Sequence, residues 1–238
     1  RGRTSIKASR STIQPRNICR KAENMAEDSE STLPVLAYLG AGRVWSKNGK
    51  SRRMSSGNSI SGQWDITDSL LEASNIKLLL NWCVRMEQVA WQKEARIAEY
   101  EAAKKAVADF MDNMEANTGH CVFYDKQNEE LLYQKDGQIL PVMQLSAGYQ
   151  SLIWMVFDIA YRMAILNPMK KEKITDTCGV VLIDEIDMHL HPKWQWNVIE
   201  ALRNVFPNVQ FIAATHSPVL FASAKKIWLI DVDGTEPV

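Results

Sequence analysis

Two adjacent carboxylates, Asp184 and Glu185, stand directly after the apolar run GVVLI at residues 179–183. An apolar run without polar alternation is typical of a strand that is covered on both faces of a parallel α/β sheet. Ligands of open α/β sheets bind at the carboxyl ends of the strands. Since adjacent residues at a strand end point in different directions, one carboxylate can hold Mg²⁺ while the other faces an attacking water. The pair indicates nucleotide hydrolysis, and the alternative interpretation is a plain acidic turn.

A second candidate site lies in the stretch QLSAGYQSLIWMVFDIAYRMAIL at residues 144–166. Here Ser146, Ala147 and Gly148 precede a helix that is apolar on nearly all sides. The amides at a helix N-terminus, a serine hydroxyl and a glycine without a side chain together suit a phosphate group. The alternative is ordinary capping, in which Ser146 satisfies the first turn and the glycine provides only a bend.

A third stretch, VQFIAATHSP at residues 209–218, repeats the apolar strand pattern and ends in Thr215, His216 and Ser217. A histidine at the carboxyl end of a strand can hydrogen-bond the terminal phosphate of a nucleotide. A single histidine is more often structural. The three stretches in this order favour one shared phosphate site over three separate structural roles.

The same stretches carry a resemblance to ABC-type ATPases over about residues 140–225. LSAGYQ resembles the signature motif LSGGQ, VVLIDE the Walker B strand, IDMHLHP the D-loop region and ATHSP the switch-histidine loop. Together with LPVLAYLGAGRVW upstream, the sequences of these motifs are more similar to those of soluble SMC- and RecF-like ATPases than to those of transporters. It is most similar to the bacterial ATPases of Septu and retron-associated anti-phage systems, and the OLD-type nucleases are more distant.

The resemblance implies ATP and Mg²⁺ as ligands and gives three residues a direct role. Asp184 would coordinate Mg²⁺, Glu185 would polarise the attacking water, and His216 would sense the γ-phosphate. We therefore expect Glu185 and His216 to be the catalytic residues and Asp184 to be the metal ligand.

The resemblance also implies that the signature acts on a second subunit. Ser146, Gly148 and Gln150 would bind ATP that is held by a partner copy, and Asp187 would lie in the loop that joins the two sites. Ala147 departs from the family motif, which has glycine there, but an alanine still leaves room for a phosphate. The active unit would be at least a homodimer.

The P-loop that such a site requires, G-x-x-x-x-G-K-[ST], does not occur in this sequence. The single Gly-Lys-Ser, at Gly49, follows the preceding glycine, Gly42, by seven positions instead of five, and the basic loop after it opens no helix. The chain also begins with Arg1 rather than Met. We therefore expect the N-terminal lobe with its P-loop to be absent from this sequence, and residues 1–238 alone to have negligible affinity for ATP.

The predicted fold class is α/β, namely a P-loop NTPase lobe of the ABC type with a helical insertion. Residues 1–64 would be the remainder of the N-terminal lobe, with a mobile basic loop at 46–62. Residues 65–118 would form the helical insertion, beginning at a cap at Thr67 or Asp68, and residues 119–238 would form the lobe with the four motifs. A turn at Asp136 and Gly137 predicts a hairpin or small sheet before the signature.

Composition limits the remaining classes of function. Residues 1–22 carry seven Arg or Lys and no acidic residue, which leaves 21 basic against 28 acidic side chains in the rest. The basic segment and the loop at 47–53 could contact DNA or RNA, or could simply be solvated. Four scattered cysteines fit a cytoplasmic protein, and no apolar run approaches the ~18–20 residues of a membrane span. His189 and His191 could bind a metal, although no third ligand lies in register.

We therefore expect an ATPase whose ATP-dependent dimerisation controls a partner nuclease, of the HNH type, or a nucleic acid in anti-phage defence. A RecF-like ATPase of DNA repair or the nucleotide-binding subunit of a transporter would share the motifs. An ATP-binding scaffold with negligible turnover is a further alternative. An OLD-like nuclease would need a carboxylate-rich domain after Val238. The sequence does not identify the partner or the trigger.

Overall fold

The computed structural model describes residues 32–41, 76–115 and 119–223. Five α-helices lie within these ranges: α1 (Ile76–Lys93), α2 (Ala98–Glu115), α3 (Ala147–Leu166), α4 (Pro192–Val205) and α5 (Pro218–Ser223). The same ranges hold six strands: β1 (Val35–Leu39), β2 (Cys121–Asp125), β3 (Glu130–Lys135), β4 (Gln138–Pro141), β5 (Gly179–Ile183) and β6 (Val209–Ala213). The expected loop at 46–62, the Gly-Lys-Ser stretch, the basic segment at 1–22 and the expected helix start at 67–68 lie outside the described residues.

The strand that carries the carboxylates is the middle strand of a parallel sheet of order β1-β5-β6. This confirms the predicted α/β sheet and the strands predicted before Asp184 and before Thr215. Gly179 begins β5 where β1 passes very close. A Cβ atom at this position would lie 2.2 Å from the carbonyl oxygen of Val35, a distance that real Cβ atoms do not adopt. Only glycine allows β1 and β5 to pair in this register.

Only one face of the parallel sheet is covered within the described part of the chain. Val35, Val181 and Ile183 are buried on that face, and α3 packs against β1. On the alternate positions, Leu36 is 46% exposed and Leu182 is 38% exposed. The expectation that β5 is covered on both faces is therefore wrong for the described residues, because no described element packs over these side chains.

A separate antiparallel sheet of order β2-β3-β4 precedes the signature. Asp136 and Gly137 connect β3 to β4 with φ angles of 50° and 77°. Two consecutive positive φ angles are those of a two-residue hairpin turn of type I′, for which the Asp-Gly dipeptide is suited. The predicted turn and small sheet are confirmed, and β4 ends directly before a 3₁₀ turn at Val142–Gln144 that leads into α3.

The helical region predicted before residue 118 is a hairpin of two helices, α1 and α2, within residues 76–115. Trp82 on α1 contacts Tyr100 on α2 and Tyr161 on α3 edge to face, with ring centroids 5.3 Å and 5.1 Å apart. Such pairs each contribute ~0.5–1.5 kcal/mol beyond their burial. The neighbouring Cys83 is fully enclosed, and burial raises the pKa of its thiol to about 12. The hairpin thus shares one hydrophobic core with the segment that carries the motifs.

Helix α3 is the central helix of this core, since fourteen of its residues are buried. This agrees with the prediction of a helix that is apolar on nearly all sides. Among the described helices, none is both long enough and apolar enough to cross a membrane.

Candidate functional site

The candidate site lies where the carboxyl ends of β1, β5 and β6 meet. The amide of Asp184 donates a hydrogen bond to the carbonyl of Leu39 at the end of β1, at 2.8 Å. On the other side, the amide of Ala214 donates to the carbonyl of Ile183 at 2.9 Å, and the amide of Ile186 donates to the carbonyl of Ala214 at 3.1 Å. The first residues after β5 are thereby fixed to both neighbouring strands.

The chain turns sharply at the second carboxylate. Glu185 has a φ of 45° and His189 has a φ of 64°, both in the left-handed region that non-glycine residues rarely adopt. Two short turns follow each other here, with the amide of Met188 bonded to the carbonyl of Glu185 at 2.9 Å and the amide of Leu190 bonded to that of Asp187 at 3.0 Å. Each left-handed residue costs ~1–3 kcal/mol. Such strain is typical of residues that a functional site holds in place.

The loop after β5 and the loop after β6 are joined by side chains. Asp187 accepts a hydrogen bond from the hydroxyl of Thr215, and Thr215 Oγ1 accepts from the amide of Ser217 at 3.0 Å. The hydroxyl of Ser217 donates to Gln195 Oε1 at 2.6 Å, and Gln195 Nε2 donates to the carbonyl of Leu190 at 3.0 Å. The structure therefore brings the predicted D-loop residue Asp187 together with the predicted switch loop.

His216 lies between the two bonded residues of that chain, Thr215 and Ser217, and its side chain is exposed. Its backbone is held on both sides while its ring remains reachable from solvent. Sequence reasoning missed Gln195, and it named Ser217 without giving it a role. Ser217 precedes Pro218 and its hydroxyl accepts from the amide of Val219 at 3.2 Å, so the Ser-Pro pair is the signal of a helix start that could have revealed it.

The turn before α3 presents Ser146 at the surface. Ser146 is the N-cap residue by its backbone, with φ −61° and ψ 155°, but its side chain makes no capping hydrogen bond. Its carbonyl accepts from the amide of Gln150 at 3.0 Å, which is the first bond of the helix. The Ser146 side chain therefore does not have the ordinary capping role that was the alternative interpretation of this motif.

Gln150 holds the signature turn from within. Its side-chain amide donates to the carbonyl of Met143 at 3.1 Å and to the carbonyl of Leu145 at 2.7 Å. Both bonds close the loop that leads into the helix. The predicted contact of Gln150 with ATP stays a prediction, and the side chain has in addition an internal function that the sequence did not reveal.

Gly148 is buried where the signature helix meets the loop after the two carboxylates. A Cβ atom at this position would lie 2.7 Å from the carbonyl oxygen of His189 and 3.3 Å from the Trp194 ring. The close approach explains why a residue without a side chain is needed here, independently of any phosphate. The signature turn and the carboxylate loop of one chain are thus packed directly against each other.

The two histidines after the carboxylates have different surroundings. His191 Nδ1 accepts a hydrogen bond from the amide of Lys193 at 3.2 Å and caps α4, in which Pro192 takes the first position. His189 is exposed. Within residues 32–41, 76–115 and 119–223, no three side chains of His, Cys, Asp or Glu come together as a metal site.

Comparison with protein families gives one match that spans most of the chain. The family model AAA_15, described as "AAA ATPase domain", matches residues 49–221. The matched residues include the signature turn, both carboxylates and His216.

Two curated relatives match shorter stretches. A protein named "Retron Vc95 probable ATPase" from Vibrio cholerae serotype O1 biovar El Tor is 48% identical over 89 residues, 37% of this chain and 17% of the relative. A protein named "Septu protein PtuA" from Bacillus mycoides (strain KBAB4) is 35% identical over 122 residues, 51% of this chain and 16% of the relative. The chain thus spans less than a fifth of the length of each relative.

Among solved structures, the SMC head domain from Thermotoga maritima is 17% identical to this chain. The similarity has a TM-score of 0.39 and covers 54% of this chain and 43% of the Thermotoga chain.

Proposed function

The chain belongs to the AAA ATPase domain family, and we propose that it supplies the Walker B, D-loop, switch and signature elements of an ATP-hydrolysing site. One observation carries the proposal. Asp184 and Glu185 follow the middle strand of the parallel sheet, next to the loop that carries His216, and the loop after them packs at His189 against Gly148 of the signature turn. The Walker B, D-loop and switch elements therefore lie at one edge of the sheet, and the signature turn packs on the loop that follows the carboxylates.

Within this proposal, Asp184 holds Mg²⁺. Its carboxylate is half-buried at the strand end, and Mg²⁺ is usually bound by one or two carboxylates together with nucleotide phosphates, so the donor type fits. When bound, the ion would neutralise charge on the phosphates. Glu185, next in the chain, orients and polarises the attacking water, and His216 hydrogen-bonds the γ-phosphate from its anchored loop.

The proposal extends to a dimer in which ATP lies between two subunits. The exposed Ser146 hydroxyl, which makes no capping bond, and the amides of the first turn of α3 would contact the ATP of the partner copy. Asp187, bonded to Thr215, would link one site to the other. Hydrolysis would then release the two copies from each other.

The output that we propose is control of a nuclease partner, of the HNH type, or of a nucleic acid in bacterial anti-phage defence. The support is the similarity to relatives named as a retron probable ATPase and as a Septu protein. The basic residues at 1–22 would supply contacts to nucleic-acid phosphates.

The experiment that tests the proposal uses the full-length protein. ATP hydrolysis is measured with and without Mg²⁺ for the wild type, for Asp184→Asn and for a matched exposed control, Asp176→Asn. We expect Mg²⁺-dependent turnover that Asp184→Asn weakens together with Mg²⁺-dependent ATP binding, while Asp176→Asn behaves as the wild type. Equal activity of all three proteins would remove Asp184 from the site and contradict the proposal.

A further inference from the structure

A cluster of charged and aromatic side chains lies behind the signature turn, where α2 and β3 end and α3 begins. Glu115, the last residue of α2, is its centre. One carboxylate oxygen of Glu115 accepts a hydrogen bond from the hydroxyl of Tyr149, and the other lies 2.5 Å from Lys135 Nζ on β3. Lys135 Nζ also donates to the Tyr149 hydroxyl at 3.0 Å. The three groups form a closed triangle.

The surroundings of the triangle favour the charged forms of Glu115 and Lys135. Burial acts to raise the pKa of the Glu115 carboxyl, but hydrogen bonds from Lys135 and Tyr149 outweigh it and hold the pKa below its ordinary value. The hydrogen bond to Glu115 raises the pKa of Lys135, with a further contribution from Tyr149. Only 11% of the Glu115 side chain is exposed. The Lys135 side chain is 33% exposed, so the carboxylate of Glu115 is the enclosed member of the pair, and it would lose its partner charge if Lys135 were removed.

A second contact fixes the start of β2 to the same end of α2. His120 is buried, and its Nδ1 lies 2.6 Å from an oxygen of Asp112, which also accepts from the His120 amide at 3.2 Å. His120 Nε2 lies 3.4 Å from Glu115. The imidazole stacks on Tyr133 with an interplanar angle of 10°. The end of α2 is therefore joined to both neighbouring strands, β2 and β3.

Tyr149 also reaches the helix that follows the two carboxylates. Its ring contacts Trp194 on α4 edge to face, with centroids 4.5 Å apart. Helix α4 is in turn bonded to α2, since Asn197 Nδ2 donates to the carbonyl of Met114 at 2.9 Å. One end of α2 thus touches both the signature helix and the helix behind the carboxylate loop.

We propose that Glu115 and Tyr149 are positioning residues, through which the α1–α2 hairpin sets the orientation of the signature turn at Ser146. The inference rests on the proposed function and deepens it by naming its regulation. A displacement of the end of α2 would be carried to the signature turn by the hydrogen bond from Tyr149 to Glu115.

The experiment compares two conservative variants of the complete protein with a matched control. Tyr149→Phe keeps the ring that packs on Trp194 and removes only the hydroxyl. Glu115→Gln keeps the shape and removes the charge. Glu101→Gln is the control, because Glu101 lies on the same helix in a surface ion pair with Lys104 at 2.7 Å.

Three quantities are measured for each protein: ATP affinity under conditions that prevent association, ATP-dependent dimerisation by light scattering, and the midpoint of thermal unfolding. We expect unchanged ATP affinity and about tenfold weaker ATP-dependent dimerisation for Tyr149→Phe and Glu115→Gln, the loss that one hydrogen bond to a charged group produces. The control should match the wild type. The double variant should dimerise as strongly as the single variant with the larger loss, because both changes break the same contact.

The outcomes separate this inference from the proposed function. If the wild type dimerises with ATP and Tyr149→Phe dimerises equally well, the inference is overturned and the proposed function is left intact. Absence of ATP-dependent dimerisation in the wild type overturns both. If Tyr149→Phe does not fold, Lys135→Met removes the third corner of the same triangle, and wild-type dimerisation of that variant likewise overturns the inference.

Discussion

The edge of the parallel sheet and the cluster behind the signature both contain charged side chains, but they hold them differently. At the edge, Asp184 and Glu185 are half-buried and His216 is exposed. In the cluster, Glu115 is bonded to both Lys135 and Tyr149 and is mostly enclosed. Charges that solvent can reach can take a ligand, whereas enclosed charges that are paired with each other fix geometry.

The difference leads to opposite expectations for conservative substitutions. At the edge, a change that keeps the shape of a carboxylate should remove chemistry and leave the free energy of unfolding nearly unchanged. In the cluster, the same type of change should leave chemistry in place and weaken the positioning of the signature turn. Activity and stability measured side by side therefore separate the two regions.

The largest expected effect is that of Glu185→Gln in the complete protein. If Glu185 polarises the attacking water, turnover should fall about 10²- to 10⁴-fold, the range for removal of a general base, while ATP binding is kept. Steady-state hydrolysis and equilibrium ATP binding are measured together. Glu172→Gln, an exposed glutamate outside the edge, is the control. Unchanged hydrolysis in Glu185→Gln would take Glu185 out of this role.

The second prediction places a large side chain at the signature turn. Ser146 is exposed, so Ser146→Arg should fold normally and bind ATP in its own pocket, but should neither dimerise with ATP nor hydrolyse it. Ser146→Ala is the control for the fold.

Mixing Ser146→Arg with Glu185→Gln protein sharpens this test. A mixed dimer has one site that is damaged twice and one site with both halves intact, so some hydrolysis should return. Light scattering with ATP checks dimerisation of Ser146→Arg alone. Normal ATP-dependent dimerisation of that variant would show that Ser146 does not act on the partner's nucleotide.

The third prediction concerns Gly148, which is part of the signature motif in the sequence and packs against His189 and Trp194 in the structure. In Gly148→Ala the new Cβ must displace the carbonyl of His189 or the Trp194 ring. Overpacking of this kind costs ~1–3 kcal/mol of unfolding free energy. Urea unfolding of Gly148→Ala and of Ser146→Ala checks this prediction. The free energy of unfolding of Ser146→Ala should equal that of the wild type. Equal stability of both variants would mean that the loop after the carboxylates yields easily.

The smallest expected effect is a pH dependence that belongs to the cluster. The pKa of Glu115 is lower in the folded protein than its ordinary value of 4.5. Its contribution to stability is therefore fully present above pH 4.5 and is lost as the pH falls through the lower folded pKa. The difference in unfolding free energy between wild type and Glu115→Gln should be constant near neutral pH and shrink in acid. A difference that is independent of pH in this range would assign the effect to packing instead of charge.

Local patterns made much of the fold predictable. The apolar runs at β5 and β6, the Asp136-Gly137 turn and the apolar helix α3 all lie where the sequence placed them. Each depends on residues that are close together in the chain, and on the rule that ligands and motifs gather at the carboxyl ends of parallel strands. The assignment of roles to Asp184, Glu185 and His216 remains a prediction that the experiments above test.

The contacts that complete the site could not be predicted in the same way. Gln195 and Ser217 are 22 residues apart, Tyr149 and Glu115 are 34 apart, and Asn197 and Met114 are 83 apart. No periodicity or motif joins such pairs. The exposure of Leu182 was also missed, because an apolar run looks the same whether one face or both faces of a strand are covered.

The sequence by itself determined which residues could do chemistry here: two carboxylates after a strand, a histidine after the next strand, and a serine and a glycine before a helix. Only the tertiary structure decided that Gly148 packs on the carboxylate loop and that Tyr149 is bonded to the end of a helix that precedes it by many residues. The physical reason is that strand and helix formation follow local side-chain patterns, whereas hydrogen bonds and close packing between distant segments exist only once the chain has folded.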